Sequence, residues 1–209
     1  NTVLSLAVSF KGISDLTGIE DFTSLTYLAC HNNQLTFLNV SQNTYLTFLD
    51  CYNNQLTNLD VTQNTSLDSL VCSENQLTTI DVSQNTALTY LVFHYNQITN
   101  IDVSQNTALT YLYCHNNQLT NLDLSQNIAL QQVDFTNNLL TNLDVSQNTA
   151  LEVLYCESNQ LTSIEVAGAT ALDRLICGDN QITSLDVSQN TALQWLRCDN
   201  NNLHCLNVK

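Results

Sequence analysis

A chain of 209 residues with a formal net charge of −15 has only four cations, Lys11, Arg174, Arg197 and Lys209. It is not built to neutralise phosphates, which argues against nucleic acid and anionic membranes as partners. Hydrophobic residues make up 44%, Pro and Met are absent and Gly numbers four, so no linker or low-complexity tail divides the chain.

No apolar run reaches membrane-spanning length, so membrane insertion is not expected. No leader-type segment is present, and a start at Asn1 rather than Met fits a processed or trimmed chain. Residues 1–24, NTVLSLAVSFKGISDLTGIEDFTS, put Val3, Leu6, Val8 and Ile13 at apolar positions, with Lys11 where later copies have Asn. The step from Val3 to Leu25 is 22 residues and later steps are 21. We therefore read 1–24 as a degenerate capping coil and 25–209 as a repeat array, together one structural domain.

From Leu25 the same letters return nine times, as in LTFLDCYNNQLTNLDVTQNTS from Leu46 and LTYLYCHNNQLTNLDLSQNIA from Leu109. A 21-residue unit cannot bury an apolar face alone, so the units must stack. Counted from the first Leu of each unit, positions one, four, six and eleven are apolar. They run from Leu25, Leu28, Cys30 and Leu35 to Leu193, Leu196, Cys198 and Leu203. Positions four and six alternate with outward positions three, five and seven, the period of a strand.

Position nine is Asn throughout: Asn33, Asn54, Asn75, Asn96, Asn117, Asn138, Asn159, Asn180 and Asn201. An Asn there offers a donor and an acceptor to backbone groups that the bending chain leaves unpaired. Cys30, Cys51, Cys72, Cys114, Cys156, Cys177 and Cys198 share position six with Phe93 and Phe135. A position open to both Cys and Phe is an apolar interior, so these read as reduced core thiols rather than a disulfide framework. The chain stops at Lys209 partway through a coil with no polar cap. We expect the protein to continue beyond it, and the coil around Leu196 and Leu203 to be exposed, frayed or packed end to end on a neighbouring molecule.

The pattern LxxLxCxxNxL resembles the leucine-rich repeat family over nearly the whole chain. Its second half, LTNLDVSQN, echoes the first, a nested 21-residue form similar to that of secreted and surface proteins of Bacteroidetes. The resemblance implies an all-β-rich solenoid, a right-handed superhelix of about nine coils. A parallel sheet would line its inner face, with extended and turn structure and little helix on the other side. Ser, Gln, Asn and Thr at positions seventeen to twenty agree with the lack of helix. The resemblance also implies a secreted or cell-surface bacterial protein.

Packing does not dictate the outward positions of the sheet, and they vary while the rest of the unit is monotonous. They carry Tyr27, Phe48, Tyr52, Tyr90, His94, Tyr111, Tyr113, His115, Tyr155 and Trp195, with Tyr95 adjoining and His31 beside the first group. Exposed Tyr and Trp are rigid interface anchors, so this face is the candidate ligand site. The alternative is cross-strand packing of aromatic pairs.

His94 and His115 recur at one position, but no third strong ligand accompanies them and Tyr95, so no metal is assigned. The acidic row Asp60, Asp81, Asp102, Asp123, Asp144, Glu165 and Asp186 supplies one carboxylate per coil. It is read as accepting turn hydrogen bonds from neighbouring Ser and Thr rather than holding calcium. The row of Thr at position twelve lacks the second Thr per coil of ice-binding arrays.

No catalytic constellation and no cofactor motif is present. Cys205 lies outside the ladder and either pairs beyond Lys209 or is a free thiol, since a bond to Cys198 would need that inward side chain to turn. The expected function is non-catalytic recognition of a protein or glycan through the aromatic face. A structural spacer or adhesin stalk is the competing class.

Overall fold

The computed structural model describes residues 2–208. One three-residue strand per coil builds the front sheet: β1 (Ser5–Ala7), β2 (Tyr27–Ala29), β3 (Phe48–Asp50), β4 (Ser69–Val71), β5 (Tyr90–Val92), β6 (Tyr111–Tyr113) and β7 (Gln132–Asp134). The series continues with β9 (Val153–Tyr155), β11 (Arg174–Ile176) and β13 (Trp195–Arg197). These ten strands are parallel and follow one another in chain order. Leu28 pairs with Leu49 and Leu49 with Leu70, one period apart, whereas Leu6 pairs with Leu28 across the longer first step.

The opposite, back side holds four more short strands, β8 (Asn142–Asp144), β10 (Ser163–Glu165), β12 (Ser184–Asp186) and β14 (Cys205–Asn207). They pair only as β8 with β10 and β12 with β14. Elsewhere the back is extended chain and turn. The one helical element described is a single 3-10 turn, Ile19–Asp21. The chain is thus a parallel β-solenoid with almost no helix.

The interior follows from the spacing. Leu25, Leu28, Cys30 and Leu35 are fully buried, as are Leu46, Leu49, Cys51 and Leu56 one coil on. Each buried Leu contributes roughly 1.5–3 kcal/mol, and only the stack removes both flanks of a coil from water. Six ladder cysteines are buried and Cys198 is partly so, all with free thiols, and Phe93 and Phe135 fill the same column at 0% exposure. Leu193, Leu196 and Leu203 of the last coil, and Val3, Leu6 and Val8 of the first, are only partly buried.

Position nine does what its chemistry offers. Asn96 Nδ2 donates to the carbonyls of Cys72 (3.1 Å) and Phe93 (3.0 Å), while its Oδ1 accepts from Leu77 N–H (2.9 Å). The residue before it is always left-handed, at φ +48° to +56° from Asn32 to Asn200, which turns the chain off the sheet. A second buried Asn column runs through Asn43, Asn64, Asn85, Asn106, Asn127, Asn148 and Asn190. There Asn64 Nδ2 donates to the carbonyls of Val40 and Asn43, both at 2.9 Å.

Ala169 interrupts this column. In its coil Gly168 packs so tightly on the preceding one that a Cβ would lie 1.7 Å from the Ser146 carbonyl oxygen. This is also where β8 and β10 pair. An Asn side chain acts as a bridging spacer between successive back segments, and its loss lets their backbones meet.

The acidic row faces solvent on the back. Thr62 N–H and Oγ1 donate to Asp60 Oδ1 at 2.9 and 2.7 Å, and Ser83, Ser104, Ser125, Ser146 and Ser188 N–H donate in the same way to Asp81, Asp102, Asp123, Asp144 and Asp186. Each of these aspartates therefore closes its own local turn.

Candidate recognition face

The parallel register places position three of every coil in one row, position five in a second and position seven in a third. The odd positions cannot turn inward without reversing every Leu, so the aromatic residues among them share the front surface. They form separate groups along it. Tyr27 and Phe48 stack at 4.5 Å with 6° between planes, and His31 lies 5.2 Å edge-on from Phe10 and 6.4 Å from Tyr52.

Tyr90 sits 5.9 Å from Tyr111 and 6.0 Å from Tyr113, which themselves lie 6.4 Å apart, making a shelf of three rings. Beside it His94 and His115 stack at 4.3 Å, and Tyr95 meets both edge-on at 5.5 and 5.6 Å. Tyr155 and Trp195 belong to a third group, organised by Arg174. The guanidinium lies 5.7 Å over the Trp195 ring and Nη1 donates to Tyr155 Oη at 3.3 Å.

The polar partners on the face are specific. Tyr113 Oη donates to Gln132 Oε1 (2.8 Å) and Tyr111 Oη to Gln131 Oε1 (3.3 Å). Asp134 Oδ2 lies 3.2 Å from His115 Nδ1, and Asp134 Oδ1 accepts from Thr136 N–H. Burial pushes the Asp134 carboxyl up, but His115 and Thr136 together outweigh it and hold the group below its usual range. Asp50 goes the other way, because burial exceeds the help of Tyr52 N–H and His31.

Burial, aided by the charge of stacked His115 and opposed by Asp134, depresses His94 to about 4. Burial and the neighbouring phenols raise Tyr113. Ser73 Oγ and His94 Nδ1 are buried with no hydrogen-bond partner among the described residues. Within the same bounds, no group of three His, Cys, Asp or Glu side chains gathers at metal distance. Burial pushes the buried ladder thiols up, Cys30, Cys72 and Cys177 to about 12.

Tyr95 is not on the sheet proper: it occupies the left-handed corner at φ +51° and is 52% exposed. Sequence reasoning did not see that corner, although the doubled Asn32–Asn33 and Asn53–Asn54 carry its signature, since Asn tolerates this conformation. It also passed over Gln131 and Gln132, whose roles depend on the two phenols, and the exposed Phe10, Phe37 and Tyr45 near the first coils.

The model of leucine-rich repeats in pairs matches residues 86–127. No curated protein sequence matched the chain. Among solved structures it is similar to the functional domain of InlJ from Listeria monocytogenes, which includes a cysteine ladder. That pair is 46% identical with a TM-score of 0.94, over 97% of this chain and 45% of that one. It is also similar to a leucine-rich repeat protein of Leptospira interrogans, at 28% identity and a TM-score of 0.83, over 91% of this chain and 53% of that one. An internalin C2 from Listeria monocytogenes shares 25% identity at a TM-score of 0.69, over 96% of this chain and 80% of that one. The chain thus spans about half the length of the first two. With Leu columns, Asn ladders and a ten-stranded parallel sheet, and with this similarity, the chain is a leucine-rich repeat protein.

Proposed function

We propose that this chain is the non-catalytic recognition module of an exported or surface-exposed bacterial protein, and that it binds a protein ligand through the front sheet. The observation that carries this reading is the contrast between a repeat whose interior hardly changes and a front face that changes at every coil. Stability accounts for the columns; it does not require three tyrosines and two histidines to gather on neighbouring strands. Extended sheet surfaces of this kind are what solenoids use for binding, and rigid amphipathic rings are what such contacts concentrate. The similarity to bacterial internalin-type structures supports the exported setting.

The test compares the wild-type protein with Tyr90→Ala/Tyr111→Ala/Tyr113→Ala on protein and glycan arrays. The melting temperature of the variant should stay within a few degrees. Loss of bound proteins supports the reading. Loss of glycans alone moves the ligand to the carbohydrate class, and an unchanged profile leaves a spacer without a specific ligand.

A further inference from the structure

The polar chemistry left open on the front face is one-sided. From Tyr27 to Tyr155 its strands carry no Lys or Arg. The phenol hydrogens of Tyr111 and Tyr113 are already given to Gln131 and Gln132, so the phenol oxygens remain as acceptors. Asp134 pairs directly with Tyr113 across β6 and β7, adding a carboxylate at the edge of the shelf. Three half-buried phenol rings gather there with two phenol oxygens and a carboxylate as acceptors, the hydrogens of Tyr111 and Tyr113 being already given.

A guanidinium is the complementary group: planar, weakly hydrated, rich in donors and without an acceptor. The molecule carries its own example, since Arg174 stacks over Trp195 while donating to a phenol oxygen, that of Tyr155. The other arginine of the sheet, Arg197, is held by Glu157 (2.7 Å) and Asp199 (2.8 Å). Both are thus engaged within the chain. The −15 net charge would draw a cationic partner toward the surface before contact.

Building on the reading of the front face as the binding surface, we infer that the Tyr90, Tyr111 and Tyr113 shelf receives an arginine-bearing segment of a protein partner. Its guanidinium groups lie on the phenol rings and donate to the phenol oxygens and to Asp134. Specificity comes from the rings, and the surrounding acidity supplies attraction without selection.

The experiment measures binding of fluorescently labelled octa-arginine by anisotropy, with octa-citrulline, its uncharged counterpart of the same shape, as the comparison. Octa-arginine should bind and octa-citrulline should not. Tyr90→Ala/Tyr111→Ala/Tyr113→Ala, which removes no charge, should weaken binding about tenfold or more. Asp60→Asn/Asp81→Asn/Asp102→Asn, which removes three charges from the back, should weaken it by no more than about threefold. Tyr90→Phe/Tyr111→Phe/Tyr113→Phe keeps the rings and the fold and should fall in between.

The inference is overturned if octa-arginine does not bind, if octa-citrulline binds equally well, or if the back variant loses as much as the front variant. In any of those cases, array partners that are still lost from the Tyr→Ala variant leave the recognition face standing and remove only the arginine partner. Array partners unaffected by that variant remove both.

Discussion

Asn96 ties three backbone groups of two coils together inside a dry column. Asn96→Ala strands the Leu77 N–H and leaves the carbonyls of Cys72 and Phe93 with one donor each, from Asn75 and Asn117, a loss of about 2–3 kcal/mol. Circular dichroism should show the melting temperature falling by roughly 5–10 °C, and a change under one degree would contradict the role given to this side chain. This column was legible because Asn recurs at one position beside invariant Leu. The second Asn column was not, since a buried Asn inside Ser-Gln-Asn-Thr looks like any polar turn. The left-handed corner was hidden for another reason: the fold imposes that φ on whichever residue stands there, Glu74 and Tyr95 included.

Two further outcomes belong to single residues. His94, ordinarily near 6.5 and held at about 4, is kept neutral by burial. The unfolded chain then binds more protons between those values, so stability is complete above pH 6.5 and declines as the pH falls toward 4. Melting curves across that range should slope downward, and His94→Gln should flatten the slope; an identical slope in the variant would remove His94 as its cause. Below that window the back row takes over. Asp60 is lowered by its bonds from Thr62, and Asp81 and Asp102 by theirs from Ser83 and Ser104. Their contribution is lost as the pH falls through those lowered values. Thiol reagent should find exposed Cys205 at once, the partly buried Cys198 slowly, and all eight cysteines only after unfolding.

At the scale of the coil, the informative place is the break at Gly168 and Ala169. Here the back segments approach until β8 and β10 pair, with Val145 N–H donating to the Glu165 carbonyl at 2.9 Å. A methyl at residue 168 would collide with the backbone of Ser146. Gly168→Ala should therefore destabilise by about 1–3 kcal/mol, more than the same change at an open turn. Gly168→Gln/Ala169→Asn, which restores the residues found in neighbouring coils, should recover most of the loss by reopening the spacing. A thermal melt of the pair decides it, and a double variant worse than the single one would sink the spacer account. The sequence marks the spot plainly, as VAGAT where most other coils read VSQNT. What it does not carry is the consequence, because pairing of back segments depends on how closely two coils approach in space.

Across the whole molecule, the period dictates the fold, and the coordinates needed little beyond it: columns, sheet order and register all follow from a 21-residue repeat with fixed Leu and Asn. The recognition face was legible only as a set of outward positions. Which of them touch depends on register and ring geometry, so the Tyr90 shelf, the His94–His115 stack and the Arg174–Trp195–Tyr155 group emerged only from coordinates. The same architecture separates two surfaces, a varied aromatic front and an acidic back whose aspartates are committed to their own turns.

Hydroxyl-radical footprinting tests that division most directly, because the reagent oxidises exposed rings and the molecule has them on more than one side. With a protein partner bound, Tyr90, Tyr95 and Tyr111 should lose reactivity. Phe37 and Tyr45, which are 70% and 64% exposed and lie off the sheet, should keep theirs. Protection of Phe37 and Tyr45 with the front tyrosines unchanged would show that the partner binds elsewhere and that the aromatic face is not the recognition surface.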